Sequence, residues 1–306
     1  MKHLLSLSDW SGEEIKETLK MAEKLKYENK YGIRHNHLLS GKTLGMIFAK
    51  SSTRTRVSFE VGMYQLGGHS LFLSSNDIQL GRGETVSDTA KTLSRYIDGI
   101  MIRTYKQSDV EGLARYGAIP VINGLTDSRH PCQILADLMT AMEKKGALNG
   151  LKLAYTGDGN NVANSLLIGC AKVGMNISAA TPKGHECDEE AVRLAKAAAM
   201  ETGAVVETTG DPFKAVKDAD VVYTDTWVSM GMEAEKEQRT KIFAPYQVNT
   251  ELMGAAKADA IFMHCLPAYR GFEVTADIID GPQSVVFDEA ENRLHAQKAV
   301  LVKLLG

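Results

Sequence analysis

Five consecutive residues, Ser52-Thr53-Arg54-Thr55-Arg56, set two arginines among three hydroxyl side chains one residue after the apolar run TLGMIFAK. Where a strand gives way to a helix, unpaired backbone N–H groups and the positive end of the helix dipole already favour an anion. Guanidinium forks match phosphate oxygens two at a time, and Ser or Thr hydroxyls satisfy those that are left. Phosphate is the natural guest of such a junction, with both guanidiniums converging on it. A solvated helix start with hydroxyl caps is the plainer alternative.

Other polar residues stand at comparable places. Arg103 follows the apolar stretch GIMI, where it either reaches into a cleft or pairs with an acid. In DSRHPCQ, His130 precedes Pro131, which suits the first helical position, with Cys132 and Gln133 in the first turn. One histidine there is more often structural, but three polar sites ending neighbouring strands of one sheet point to a ligand. Further on, YTGDGNN places Gly157 and Gly159 before a helix containing Val162. This is G-x-G-x-x-V, and the next strand ends in Thr181 rather than in an acid able to hold a ribose, so a dinucleotide is poorly supported. The amides of Asn160 and Asn161 offer donors to a small carboxylate instead. Asp225 follows VVYT and leads to Ser229 and Met230 in a glycine-ended loop; an acid there either holds an ammonium group or caps a helix. His264 and Cys265, in MHCLP, could join His130 and Cys132 around zinc, but neighbouring strand residues face opposite ways, and no metal is expected. Cys265 is a nucleophile, a ligand-contacting thiol or a small core residue.

Elements must exist to place these groups. Ser11 and Glu14 form a capping box ahead of Ile15, Leu19 and Ala22 on one helical face. KTLGMIF, HSLFLS, GIMIRTY and IPVING read as strands, and Val86, Ala90, Leu93 and Ile97 as the stripe of a helix between the second and third. A helix runs from Pro131 to about Gly146, and the alternation then restarts with LKLAYTG, NISAAT, AVVETT, DVVYTD and AIFMHC. A final segment spaces Leu294, Leu301 and Leu305 as the apolar face of a C-terminal helix. The fold class is therefore α/β, with two domains, each a parallel sheet covered by helices on both faces. Residues 1–146 form the first and 147–288 the second. Ligands of open parallel sheets collect beyond the carboxyl ends of the strands, where the polar motifs fall.

The 306 residues suit two domains, and 35 Lys+Arg against 38 Asp+Glu, without a basic block, argue against nucleic acid or an anionic membrane as partner. The amino terminus turns polar too soon for a secretory signal, and no apolar run approaches the roughly 20 residues that span a bilayer. A cytoplasmic protein acting on small molecules is expected. Cys132, Cys170, Cys187 and Cys265 are scattered as reduced thiols are.

Taken in order, STRTR, HPCQ, GDGNN, DTWVSMG, HCLP and EAENR resemble the aspartate/ornithine carbamoyltransferase family over nearly the whole chain. STRTR and HPCQ resemble the family at large, and the SMG loop and HCLP its ornithine branch. The resemblance implies that Ser52, Thr53, Arg54 and Thr55 hold the phosphate of carbamoyl phosphate. Arg103 then bridges phosphate and carbonyl oxygen. His130, with Pro131, Cys132 and Gln133, orients the carbamoyl group, the carbonyls of Cys265 and Leu266 receive its NH2, and Arg293 completes the pocket. Gln79 matches a loop passed to an adjacent subunit, implying a homotrimer with shared sites. Asn161, Asp225, Ser229 and Met230 match positions that bind L-ornithine, and helix 289–306 returns to the first domain. Arg103, His130, Asp225 and Cys265 carry the catalytic roles. No cofactor or metal is implied. Closure of the domains around the substrates is expected, since ligands from both must meet. The alternatives are putrescine or aspartate as acceptor, and a nicotinamide-dependent oxidoreductase suggested by GDGNN.

Overall fold

Apolar runs too continuous to alternate, such as Leu44–Phe48, become strands buried on both faces. The computed structural model describes residues 1–75, 77–79, 83–228 and 233–306, and divides them into two units, Met1–Met139 with Glu291–Gly306, and Thr140–Ala290. The alternation of elements restarts after Gly146, whereas contacts divide the chain one to two turns earlier, within a helix.

The first unit contains α1 (Gly12–Lys30), β1 (Thr43–Phe48), α2 (Thr53–Leu66), β2 (His69–Ser74), α3 (Val86–Leu93), β3 (Gly99–Arg103), α4 (Gln107–Tyr116), β4 (Val121–Leu125) and the start of α5 (Pro131–Lys145). Its sheet is parallel throughout in the order β2-β1-β3-β4. Chain direction along the sheet reverses between β1 and β3, the crevice where ligands of doubly wound folds bind. Phe48 pairs with Arg103 across that crevice, so STRTR and Arg103 leave neighbouring strand ends. Ile47, Ile100, Ile102 and Val121 pack with Ala90, Val110 and Leu113 from α3 and α4 on one face.

The second unit follows with β5 (Lys152–Thr156), α6 (Asn161–Val173), β6 (Asn176–Ala180), α7 (Glu189–Thr202), β7 (Val206–Thr209), α8 (Pro212–Val216), β8 (Val221–Thr224), α9 (Lys236–Phe243), α10 (Thr250–Met253), β9 (Ile261–Met263), α11 (Ala276–Ile279) and the start of α12 (Val286–Leu305). Its parallel sheet has the order β7-β6-β5-β8-β9, with the reversal between β5 and β8. Thr156 and Thr224 pair at that crevice, one strand leading to the GDGNN loop and the other to Asp225.

Local readings hold where sequence periodicity sets packing. Ser11 and Glu14 exchange both bonds of the capping box (3.1 and 2.9 Å), and Ile15, Leu19 and Ala22 are fully buried. Two readings need correction. The helix carrying Val86 ends at Leu93, so Ile97 packs from the following turn. The C-terminal helix starts at Val286 rather than at 289, and its buried surface is not one apolar face. Asn292, Arg293, His295, Gln297 and Lys298 are at most 2 % exposed, whereas Leu294 is only half-buried. Asn292, Arg293, Gln297 and Lys298 bond to other side chains of the first unit instead of to water.

Candidate active site

At the β1/β3 crevice Ser52 caps α2, accepting from the Thr55 N–H (3.2 Å). Thr53 begins the helix, and an open cavity of about 320 Å³ lies against Ser51, Ser52 and Thr53, with Phe72, Ser74 and Ser75 on its β2 side. The two arginines of the motif part company. Arg56 bonds Glu60 one turn on (2.9 Å) and lies 3.8 Å over the Phe72 ring, so it does not converge with Arg54. Residues two apart on a helix face nearly opposite ways, and it is Arg56, beside Phe72, that lines this cavity.

Arg54, Arg103 and Arg293 all lie near enough to His130 to act on its charge. The His130 ring, 5 % exposed, is held well below the usual histidine range, first by burial and then by the Arg293, Arg103 and Arg54 guanidiniums. It is a neutral imidazole among three cations. Pro131 starts α5, and Gln133 is buried in its first turn, donating to Asp137 (2.8 Å) and accepting from Arg293 Nη1 (2.6 Å). Arg293 Nη2 donates to the fully buried Thr55 hydroxyl (3.3 Å). Cys132 is a core thiol: its Sγ donates to the Asn123 carbonyl (3.4 Å), and burial pushes its pKa up to about 12. Gln79 is exposed on its own unit.

In the second unit Gly157, at φ 134°, turns the chain off β5, a conformation that favours glycine. A Cβ on Gly159 would sit 2.3 Å from the Glu186 carbonyl, so only glycine fits there. Asn160 does not offer its amide to a ligand as the sequence suggested. Its oxygen caps α6 through Val162 and Ala163, and its NH2 donates to Asp225 Oδ2 (2.8 Å). Asn161 is the first, half-buried residue of α6. Asp225, 6 % exposed, also accepts from the Thr226 N–H (2.7 Å) and the Cys265 thiol (3.1 Å). Ser229 and Met230 lie outside the described residues.

His264 and Cys265 follow the end of β9, so strand alternation no longer separates them. Asp225, His264 and Cys265 each bring a donor atom within 4.8 Å of the others. Both His264 nitrogens are already engaged: Nδ1 accepts from the Leu266 N–H (2.9 Å), and Nε2 faces Glu273 (3.2 Å). The His264 N–H donates to buried Glu289 (2.9 Å), which also accepts from the Tyr223 hydroxyl (3.1 Å). Leu266 sits at φ 57°, a left-handed conformation costly for leucine, held by this network. Glu273, Glu289 and Gln297 escaped sequence reasoning. The spacing of Arg293 and Gln297, one helical turn apart, was the available signal for the last.

Among known proteins, a family model described as the carbamoyl-P binding domain of aspartate/ornithine carbamoyltransferase matches residues 2–143, and one described as the Asp/Orn binding domain matches 149–304. The chain belongs to the aspartate/ornithine carbamoyltransferase family and is a carbamoyltransferase. Its relatives of high identity carry a narrower name. It is 62 % identical over 302 residues to the ornithine carbamoyltransferase of Caldicellulosiruptor saccharolyticus, covering 99 % of this chain and 98 % of that one. It is 58 % identical over 305 residues to a Pyrococcus furiosus protein named ornithine carbamoyltransferase, anabolic, covering 100 % and 96 %. The solved ornithine carbamoyltransferase of P. furiosus superimposes with a TM-score of 0.97 at 58 % identity, covering 100 % of this chain and 97 % of that one.

Proposed function

We propose that the protein transfers the carbamoyl group of carbamoyl phosphate to the side-chain amine of L-ornithine, giving L-citrulline and phosphate. The observation that carries this reading is the trio Arg54, Arg103 and Arg293 around the neutral His130, beside the capped start of α2 at the β1/β3 crevice. Such a site suits a phosphorylated donor: Ser52, Thr53, Arg54 and Thr55 take the phosphate, and Arg103 spans phosphate and carbonyl oxygen. His130 and Gln133 orient the carbonyl, Arg293 completes the charge, and the carbonyls of Cys265 and Leu266 accept the carbamoyl NH2.

In the acceptor set, Asn161 takes the α-carboxylate, and Asp225 takes the α-amino group with Ser229 and Met230. The side-chain amine resembles that of Lys and is protonated at neutral pH, so it must lose a proton before its lone pair can attack. A C–N bond forms, a tetrahedral intermediate results, and the bond from carbon to the bridging oxygen breaks with its electron pair going to phosphate. The arginines act by positioning and by stabilising charge that grows on phosphate and carbonyl oxygen.

The relative named anabolic supports a place in arginine biosynthesis; a cytoplasmic location belongs to the same reading. Among the described residues no helix is long and apolar enough to cross a membrane. A homotrimer in which Gln79 serves a neighbouring copy belongs to the same reading, supported by exposed Val57, Tyr64 and Phe72 on α2 and β2. Offering ornithine, putrescine and aspartate in parallel with carbamoyl phosphate tests the function. Citrulline from ornithine, with little turnover of the other two, is expected. Preference for either alternative acceptor would overturn the assignment.

A further inference from the structure

Arg293 reaches the charged cluster from α12, and its buried guanidinium donates from all three nitrogens. Nη1 bonds Gln133 Oε1 (2.6 Å), Nη2 bonds Thr55 Oγ1 (3.3 Å) and Nε bonds Gln297 Oε1 (2.9 Å). Gln297, one turn further along α12, is itself fully buried and uses both ends of its amide. Its Nε2 donates to Ser58 Oγ (2.7 Å), and that hydroxyl donates to the Arg54 carbonyl (2.5 Å). One side chain therefore touches both a guanidinium of the cluster and the turn of α2 that bears another. The acceptors named for Arg293 are a hydroxyl and two amide oxygens. Such bonds fix its direction without cancelling its charge, whereas a carboxylate at 297 would fix it and neutralise it.

We propose that Gln297 is a positioning residue for the carbamoyl phosphate site, orienting Arg293 through its oxygen and the Arg54 turn through its nitrogen and Ser58. The inference rests on the reading of this cluster as the donor site. A merely structural glutamine would tie α12 to α2, and its loss would lower stability and weaken both substrates alike.

Two variants separate these cases. Gln297→Met keeps the length and removes both bonds; Gln297→Glu keeps the acceptor for Arg293 and adds a negative charge. Both should raise KM for carbamoyl phosphate at least tenfold and leave KM for ornithine within twofold, with Gln297→Glu keeping a thermal midpoint nearer the wild type. Unchanged KM for carbamoyl phosphate in both variants, or equal rises for both substrates that follow the midpoint, would overturn the proposal. Calorimetric titration of inorganic phosphate keeps this inference apart from the assigned activity. A wild type that binds phosphate but makes no citrulline defeats the activity, and the role of Gln297 is then decided by phosphate affinity, expected to fall at least fivefold in both variants and contradicted if it does not.

Discussion

Acid should weaken the first unit through one ring, His130. In the unfolded chain this histidine takes up its proton near pH 6.5. In the native unit, burial and the Arg293, Arg103 and Arg54 guanidiniums hold its pKa well below that value. The contribution is therefore complete above pH 6.5. It declines as pH falls below 6.5, where the unfolded state binds a proton that the native state refuses, until the native ring titrates in turn. One proton difference amounts to about 1.4 kcal/mol per pH unit, and integrating from pH 7.5 to 5.5 gives a loss of about 1.4 kcal/mol. His3 and His35 are also held low, chiefly by burial, but they contribute equally to a His130→Gln variant and cancel in the difference. The two tryptophans, Trp10 and Trp227, fall one in each unit, so urea unfolding followed by fluorescence in a Trp227→Phe background reports on the first unit. The stability advantage of wild type over His130→Gln should shrink by about 1.4 kcal/mol across that range. A flat difference, or one that grows toward acid, would refute the neutral imidazole among three cations.

Other consequences can be measured on the same protein. Arg54→Ala should raise KM for carbamoyl phosphate by roughly 10- to 100-fold, since each charge-assisted bond lost is worth about 1.5–3 kcal/mol, with an unchanged circular dichroism spectrum. Asp225→Asn removes the charge that Asn160 and Cys265 face, and should raise KM for ornithine by about tenfold, on the scale of one charge-assisted bond, while carbamoyl phosphate affinity measured by calorimetry stays within about twofold. Lys298, buried beside His35 and Gln65 and facing Glu28, has its pKa lowered to about 8, chiefly by burial. The unfolded chain holds that proton up to its higher ordinary value, so stability should rise as pH climbs from 8 toward 10. The Lys298→Met variant should show a smaller rise in thermal midpoint over this interval.

Much of this architecture is legible because two periods dominate the chain. Doubly buried strands read as continuous apolar runs, amphipathic helices repeat every 3.6 residues, and their alternation leaves polar motifs such as STRTR and GDGNN at strand ends. What escapes is the pairing of polar groups with each other. Arg56 looks equivalent to Arg54 until Glu60, four residues on, and Phe72 claim it. Asn160 carries an amide suited to a ligand, yet helix capping and Asp225 consume it. On α12 the spacing of Leu294, Leu301 and Leu305 says nothing of Gln297 and Lys298, because a helical wheel cannot distinguish water from the Arg293, Ser58 and His35 groups that meet them. His264 and Cys265 look opposed under strand alternation, but β9 stops at Met263 and the rule stops with it.

The central claim is that a phosphorylated donor lodges at the carboxyl ends of β1 and β3. A crystal structure with carbamoyl phosphate bound tests it most directly. Phosphate oxygens should lie within hydrogen-bonding distance of the Arg54 guanidinium and of the Ser52–Thr55 turn, with the carbonyl oxygen between Arg103 and His130. Density for the donor elsewhere, or Arg54 turned outward into solvent beside an empty crevice, would contradict it.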